Sequence, residues 1–88
     1  MSYMVIARYA PETDWREVTV HIPAEQARVA ELKAAGTLEA LHIAQDRRQV
    51  FLLLRATSEA EVRAALESLP LYRFWTVEIV GLEPLPAH

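Results

Sequence analysis

Cysteine is missing from the 88-residue chain. Disulfide staples, thiolate nucleophiles and cysteine-bound metals are excluded together. Basic charge is in short supply as well: nine Lys and Arg against twelve Asp and Glu leave a net charge of −3. Such a balance offers neither the electropositive footprint that neutralises nucleic-acid phosphates nor a polybasic membrane surface. Long apolar runs are absent, since "VFLLL" (50–54) falls far short of a bilayer span. The opening "MSYMVIARYA" has no basic segment leading into an extended apolar stretch. No secretory leader is expected, and a cytoplasmic protein is the default. The three histidines, at 21, 42 and 88, lack metal-ligand spacing, so no metal and no other cofactor is expected. Repeats, low-complexity tracts and dividing linkers are not seen either.

What is present is a composition of 52% hydrophobic and 24% charged residues, which folds rather than stays disordered. A single domain spanning 1–88 is expected, near the lower size limit for folding around one core. "SYMVIARY" (2–9), rich in β-branched and aromatic residues, predicts a first strand. "PAEQARVAELKAAG" (23–36) predicts a helix, with Pro23 at its first position and Gly36 just past its end. "TLEALHIAQ" (37–45) and "QVFLLLRA" (49–56) predict two strands joined by a polar turn at Asp46-Arg47-Arg48. "TSEAEVRAALESL" (57–69) predicts a second helix, opened by the Ser58/Glu61 capping-box spacing and stopped by Pro70. "YRFWTVEIVGL" (72–82) predicts the last strand. Segment 10–22 alternates like a strand at "VTVHI", yet occupies the place of a crossover, and is expected to be an irregular loop.

The resulting order, β-α-β-β-α-β, is the ferredoxin-like split motif, an α+β fold with both helices on one face of the sheet. The third strand is apolar at every position from Val50 to Leu54, which implies burial on both faces. The face away from the helices is expected to carry Met4, Ile6, Ala40, Val50, Leu52, Leu54, Thr76 and Val80. That is too much apolar surface to leave wet. A second copy of the sheet is the simplest cover, giving a homodimer or a larger assembly of dimers, with the last strand and its proline tail reaching a neighbouring subunit.

Gly36-Thr37, the "HIA" segment at 42–44, Ser58 opening a short helix and above all "SLPLYRFWTVEIVGL" (68–82) resemble the muconolactone isomerase family. The match runs without a gap from Glu25 to Leu82, and the YCII-related group is more distantly similar. The resemblance implies a dimeric α+β barrel and an isomerase that moves a double bond in a small unsaturated lactone during aromatic-compound breakdown. It also implies departures. The family's polar positions on the first strand match Met4 and Ile6 here. Its Trp-Arg pair in the second strand matches His42-Ile43, and the lysine after its helix-1 glutamate matches Gln26. Fold transfers better than substrate across such differences.

Proton transfer next to a carbonyl needs a base, a donor to the developing enolate and little water. Strand alternation puts Arg8 and Glu78 on the expected barrel face, and His42 with them if the second strand turns Ala40 the same way. Glu78 is the leading candidate base, since a carboxylate among apolar side chains has a raised pKa. Its matching family position also carries a glutamate. Arg8 could hold a substrate carboxylate, and Leu52 and Leu54 would wall the pocket. The plainer roles stay open: Arg8 and Glu78 as a cross-strand pair that sets the dimer register, and His42 as an interface residue. Glu25 matches the family's helix-1 glutamate and is a third catalytic candidate, although a carboxylate in a first helical turn also suits the helix dipole. Trp75 and Phe74 are expected in core and interface, and Arg47 and Arg48 in a solvated turn. Two functional classes follow: a small-molecule isomerase, or a non-catalytic ligand-binding or accessory barrel.

Overall fold

The computed structural model describes residues 1–84, so the final proline of the tail, Pro86, and His88 lie outside the described residues. The elements run β1 (Ser2–Tyr9), α1 (Trp15–Ala34), β2 (Leu38–Ile43), β3 (Gln49–Arg55), α2 (Glu59–Glu67), a 3₁₀ turn (Pro70–Phe74) and β4 (Trp75–Leu82). The four strands form one sheet in the order β2-β3-β1-β4 with antiparallel pairing throughout. This is the ferredoxin-like arrangement, with β1 and β3 central. Among the described residues no helix is long and apolar enough to cross a membrane.

Alternation along β1 divides the sheet into two faces. Tyr3, Val5 and Ala7 are buried beneath the helices, and register pairs them with Leu54, Leu52 and Val50 of β3. Leu32 of α1 and Val62 and Leu66 of α2 close over them. The opposite face therefore carries Phe51 and Leu53, paired with Ile6 and Met4. Val50, Leu52 and Leu54 do not share a face with Met4 and Ile6, contrary to the expectation above. A run with no polar position gives no phase by which to choose. The chain chose the residues that meet Leu32, Val62 and Leu66, and Leu52 is 0% exposed.

The largest departure is α1. Residues 15–22 are helical rather than irregular, and Pro23 lies inside the helix instead of opening it. Asp14 is the N-cap, its side chain accepting from the Arg16 N–H at 3.0 Å. The strand-like alternation of "VTVHI" misled because a second period overlies it. Val18, Ile22, Glu25, Val29 and Leu32 recur at alternating steps of four and three, one face of a helix. Pro23 has no N–H to give the carbonyl one turn back, and an exposed Pro23 leaves that carbonyl to water. Gly36 ends the helix as expected, at φ +80°, with Gly36 N–H donating to Lys33 O and Thr37 N–H to Leu32 O. That pair of bonds is a Schellman motif, and it requires a left-handed residue.

Ser58 caps α2, accepting from the Glu61 N–H at 3.3 Å, while Glu61 reaches back to the Thr57 N–H at 2.7 Å. Strand β4 begins at Trp75, three residues later than expected, because Pro70–Phe74 winds into the 3₁₀ turn. Tyr72 N–H donates to Leu69 O there, and Leu71 is buried.

Candidate functional site

The helices do not cover the sheet evenly. Between residues 15–29 of α1 and the β2–β3 end of the sheet lies a groove of about 690 Å³, within the range of small-molecule sites. Its walls are mostly apolar: Val18, Ile22 and Val29 of α1 face Leu41, Val50 and Trp75 of the sheet. At one end the β2–β3 turn contributes Asp46, Arg47 and Arg48. Arg47 holds φ 65°, and the Asp46 carboxylate accepts from the Arg48 N–H at 2.9 Å, which fixes the tight turn.

Glu25 lies on this wall and is only 7% exposed. It is not in a first helical turn, since α1 starts ten residues earlier at Trp15. The helix-dipole role considered for it therefore falls away. One carboxylate oxygen accepts from the Leu71 N–H at 2.9 Å, tying α1 to the 3₁₀ turn. Burial pushes the Glu25 carboxyl above its usual range, and the Leu71 hydrogen bond opposes that only in part. A carboxylate so placed is a proton acceptor kept away from bulk water.

Opposite stands Tyr9, the last residue of β1 and the register partner of Trp75. Its ring lies 4.7 Å from that of Trp15 and 6.2 Å, edge to face, from that of Trp75. Burial raises the Tyr9 phenol, the Trp75 indole lowers it in part, and the Glu25 carboxylate raises it further. Indole Nε1 of Trp75 is buried and lacks a well-formed acceptor among the described residues.

The other candidates lie elsewhere. Register sets His42, Phe51, Ile6 and Glu78 in one row across the helix-free face. His42 and Glu78 thus share a face, as expected, but stand three strands apart, about 14 Å at ordinary strand spacing. Arg8 does meet Glu78, at 3.5 Å, with side chains 49% and 56% exposed. Neither lines the groove, and within this chain Glu78 lacks the apolar enclosure that made it the leading base. Leu52 is in the core, and Leu54 borders a separate hollow of about 390 Å³ beside Arg28 and Arg55. Of the six site candidates from sequence, Glu78, His42, Glu25, Arg8, Leu52 and Leu54, Glu25 alone lines the groove.

Tyr9, Trp75, Arg47 and Arg48 were missed as site residues. The available signal was the position of the arginines in the turn beside Ile43, and the aromatic residues that end β1 and begin β4. Gln26 and Ile43, at positions where the resemblance implies charge, also line the groove.

A search of the curated proteins finds no significant match. Among solved structures, the 5-chloro-2-hydroxyhydroquinone dehydrochlorinase of Burkholderia phenoliruptrix AC1100, in complex with 2,5-dihydroxybenzoquinone, is similar with a TM-score of 0.79. The similarity covers 94% of each chain at 17% identity, a likeness of fold. The family profile described as muconolactone delta-isomerase matches residues 1–88. With the ferredoxin-like sheet order and the closing "SLPLYRFWTVEIVGL" segment, that match settles the relationship: the chain belongs to the muconolactone delta-isomerase family.

Proposed function

We propose that the protein is an isomerase that moves a double bond by proton transfer in a small, planar, unsaturated carbonyl compound. The substrate binds in the groove between α1 and the sheet, and Glu25 is the base. The observation that carries this is the Glu25 carboxylate itself, buried on an apolar wall, held by one oxygen and pushed above its usual pKa. Family membership supports the reaction class. The fold neighbour is a protein that holds a small cyclic carbonyl compound, 2,5-dihydroxybenzoquinone.

In the proposed step, Glu25 takes a proton from a carbon next to the carbonyl. The released pair forms a double bond to the carbonyl carbon, and the carbonyl electrons move onto oxygen as an enolate. On collapse the carbonyl reforms, the pair shifts into the adjacent carbon–carbon bond, and the original double bond opens as its far carbon takes the proton back from Glu25, so the step balances without a co-reactant. Arg47 and Arg48 at the groove end would hold a carboxylate on the substrate, the part first expected of Arg8.

The experiment is deuterium exchange from solvent into α-angelica lactone, a small butenolide, followed by NMR. Wild-type protein is expected to accelerate exchange above buffer, and Glu25→Gln to reduce the rate on the order of a hundredfold or more. Equal rates in both remove Glu25 from the mechanism. No acceleration with this or carboxylate-bearing butenolides turns the reading to a ligand-binding barrel.

A further inference from the structure

We propose that Tyr9 is a catalytic residue, its hydroxyl donating a hydrogen bond to the oxygen on which charge develops, with the indole N–H of Trp75 positioned to support it. This rests on the proton-transfer function proposed above. A base alone leaves the enolate unstabilised, and a donor fixed by the protein stabilises it better than mobile water. Gln26 and Ile43 line this groove without charge. The phenol of Tyr9 is a fixed donor on the same wall system as Glu25.

Geometry supports the assignment in three ways. Tyr9 and Trp75 are direct register partners, so their side chains leave the sheet on the same face, toward the groove. The Tyr9 ring is braced on two sides, by Trp15 at 4.7 Å and by the edge of Trp75 at 6.2 Å. Its backbone is anchored too, Tyr9 N–H donating to Arg48 O at 3.1 Å. The third point is the buried indole Nε1 of Trp75, which has no well-formed acceptor. Buried donors are almost always paired, so this N–H is available to strengthen a contact with Tyr9. The Trp75 indole holds the Tyr9 phenol down in part, without a well-formed hydrogen bond between the two. When Tyr9 shares its proton with an enolate oxygen, its own oxygen gains negative charge, and the indole contact then strengthens. The donor is thus weak in the resting groove and strong when charge arrives, which favours the transition state over the substrate.

The bonds balance as before. Glu25 carries the proton between carbons, and Tyr9 keeps its own proton throughout, sharing it with the enolate oxygen. The Tyr9 ring meets those of Trp15 and Trp75 at 56° and 82°, so the three bound an aromatic corner of the groove, and the substrate class is a small conjugated carbonyl compound with its oxygen toward Tyr9.

Two variants test this, with α-angelica lactone as substrate. Tyr9→Phe keeps the ring packing and removes the donor; kcat is expected to fall on the order of a hundredfold with KM little changed. Trp75→Phe removes the N–H; kcat is expected to fall about tenfold, as for one supporting hydrogen bond. In the same variant the Tyr9 phenol should titrate higher, read from tyrosinate absorbance against the Tyr9→Phe background, which lost packing alone would not produce. A second arm needs no turnover: para-nitrophenol, whose anion mimics an enolate oxygen, should bind wild type at least tenfold more tightly than Tyr9→Phe. If Glu25→Gln stops exchange while Tyr9→Phe leaves it unchanged, the donor role is overturned and the base role stands. If wild type exchanges nothing, the proposed function fails, and the nitrophenol arm still decides. Equal affinity in wild type and Tyr9→Phe, or no binding by wild type, overturns the Tyr9 assignment.

Discussion

Glu25 illustrates the conflict between a useful side chain and a stable one. Burial raises its pKa, so the folded state holds the proton more tightly than the unfolded chain does. Between the unfolded and the folded pKa the native state binds more protons, and stability falls as pH rises through that window. The contribution is complete below the ordinary carboxylate range and is lost above the raised value. The titratable groups facing Glu25 from the other walls are Tyr9, Asp46, Arg47 and Arg48. Glu25→Gln can still accept from the Leu71 N–H and never charges, so it is expected to melt higher than wild type at neutral pH. At acidic pH the two proteins should converge, a comparison that thermal melts across pH would make directly. The exchange rate of the wild type should rise with pH through the same raised pKa, since only the carboxylate is a base. A variant less stable than wild type at neutral pH would mean that the Leu71 hydrogen bond outweighs desolvation.

Helix α1 depends on a single side chain to start where it does. Asp14 caps the two turns, residues 15–22, that carry Trp15, Val18 and Ile22 of the groove wall. Much of that segment is exposed on its outer side, Val20 to 75%, so packing supplies only part of its stability. Asp14→Ala is expected to destabilise by about 1 kcal/mol, with amide hydrogen exchange accelerating at residues 17 and 18 while the core strands stay protected. Uniform acceleration across the chain would show that the segment does not open on its own. On β3 a different substitution tests the assignment of faces. Leu52→Asp puts a charge among Val5, Leu66 and their neighbours on the helix side and is expected to unfold the chain, a loss of several kcal/mol in order of magnitude. It does not test the dimer, because Leu52 never reaches the open face.

Among the described residues no helix covers the open face of the sheet. Met4, Ile6, Phe51 and Leu53 form its centre, and the Arg8–Glu78 pair lies at one side. We propose that a second copy of the sheet covers it, which would also bury His42 and Glu78 against the partner. Leu53→Asp then separates the effect on assembly from that on folding, since Leu53 is partly exposed on the open face. Sedimentation is expected to show wild type as a dimer or larger and the variant as a folded species near 10.0 kDa. Wild type sedimenting as a monomer at micromolar concentration would end the proposal.

The strand order, the ends of both helices and the ferredoxin-like topology were legible in the sequence because their causes are local. Ser58 with Glu61, Gly36, Pro70 and the alternation along β1 act within a few residues, and each marks its own boundary. Three matters were not local. Val50 to Leu54 has no polar residue to give it a phase, so the face it buries was chosen by Leu32, Val62 and Leu66, which arrive from both helices. The start of α1 hid beneath a second periodicity, and its helical reading prevails because Val18 and Glu25 pack inward. The groove depends on longer reach still: Glu25 and Leu71 are 46 residues apart, and Tyr9 meets Trp75 only across the β1–β4 ladder. By sequence Glu78 stood ahead of Glu25 as the candidate base. Folding separated them, because desolvation is a property of the neighbours that the chain brings to a side chain and not of the side chain itself.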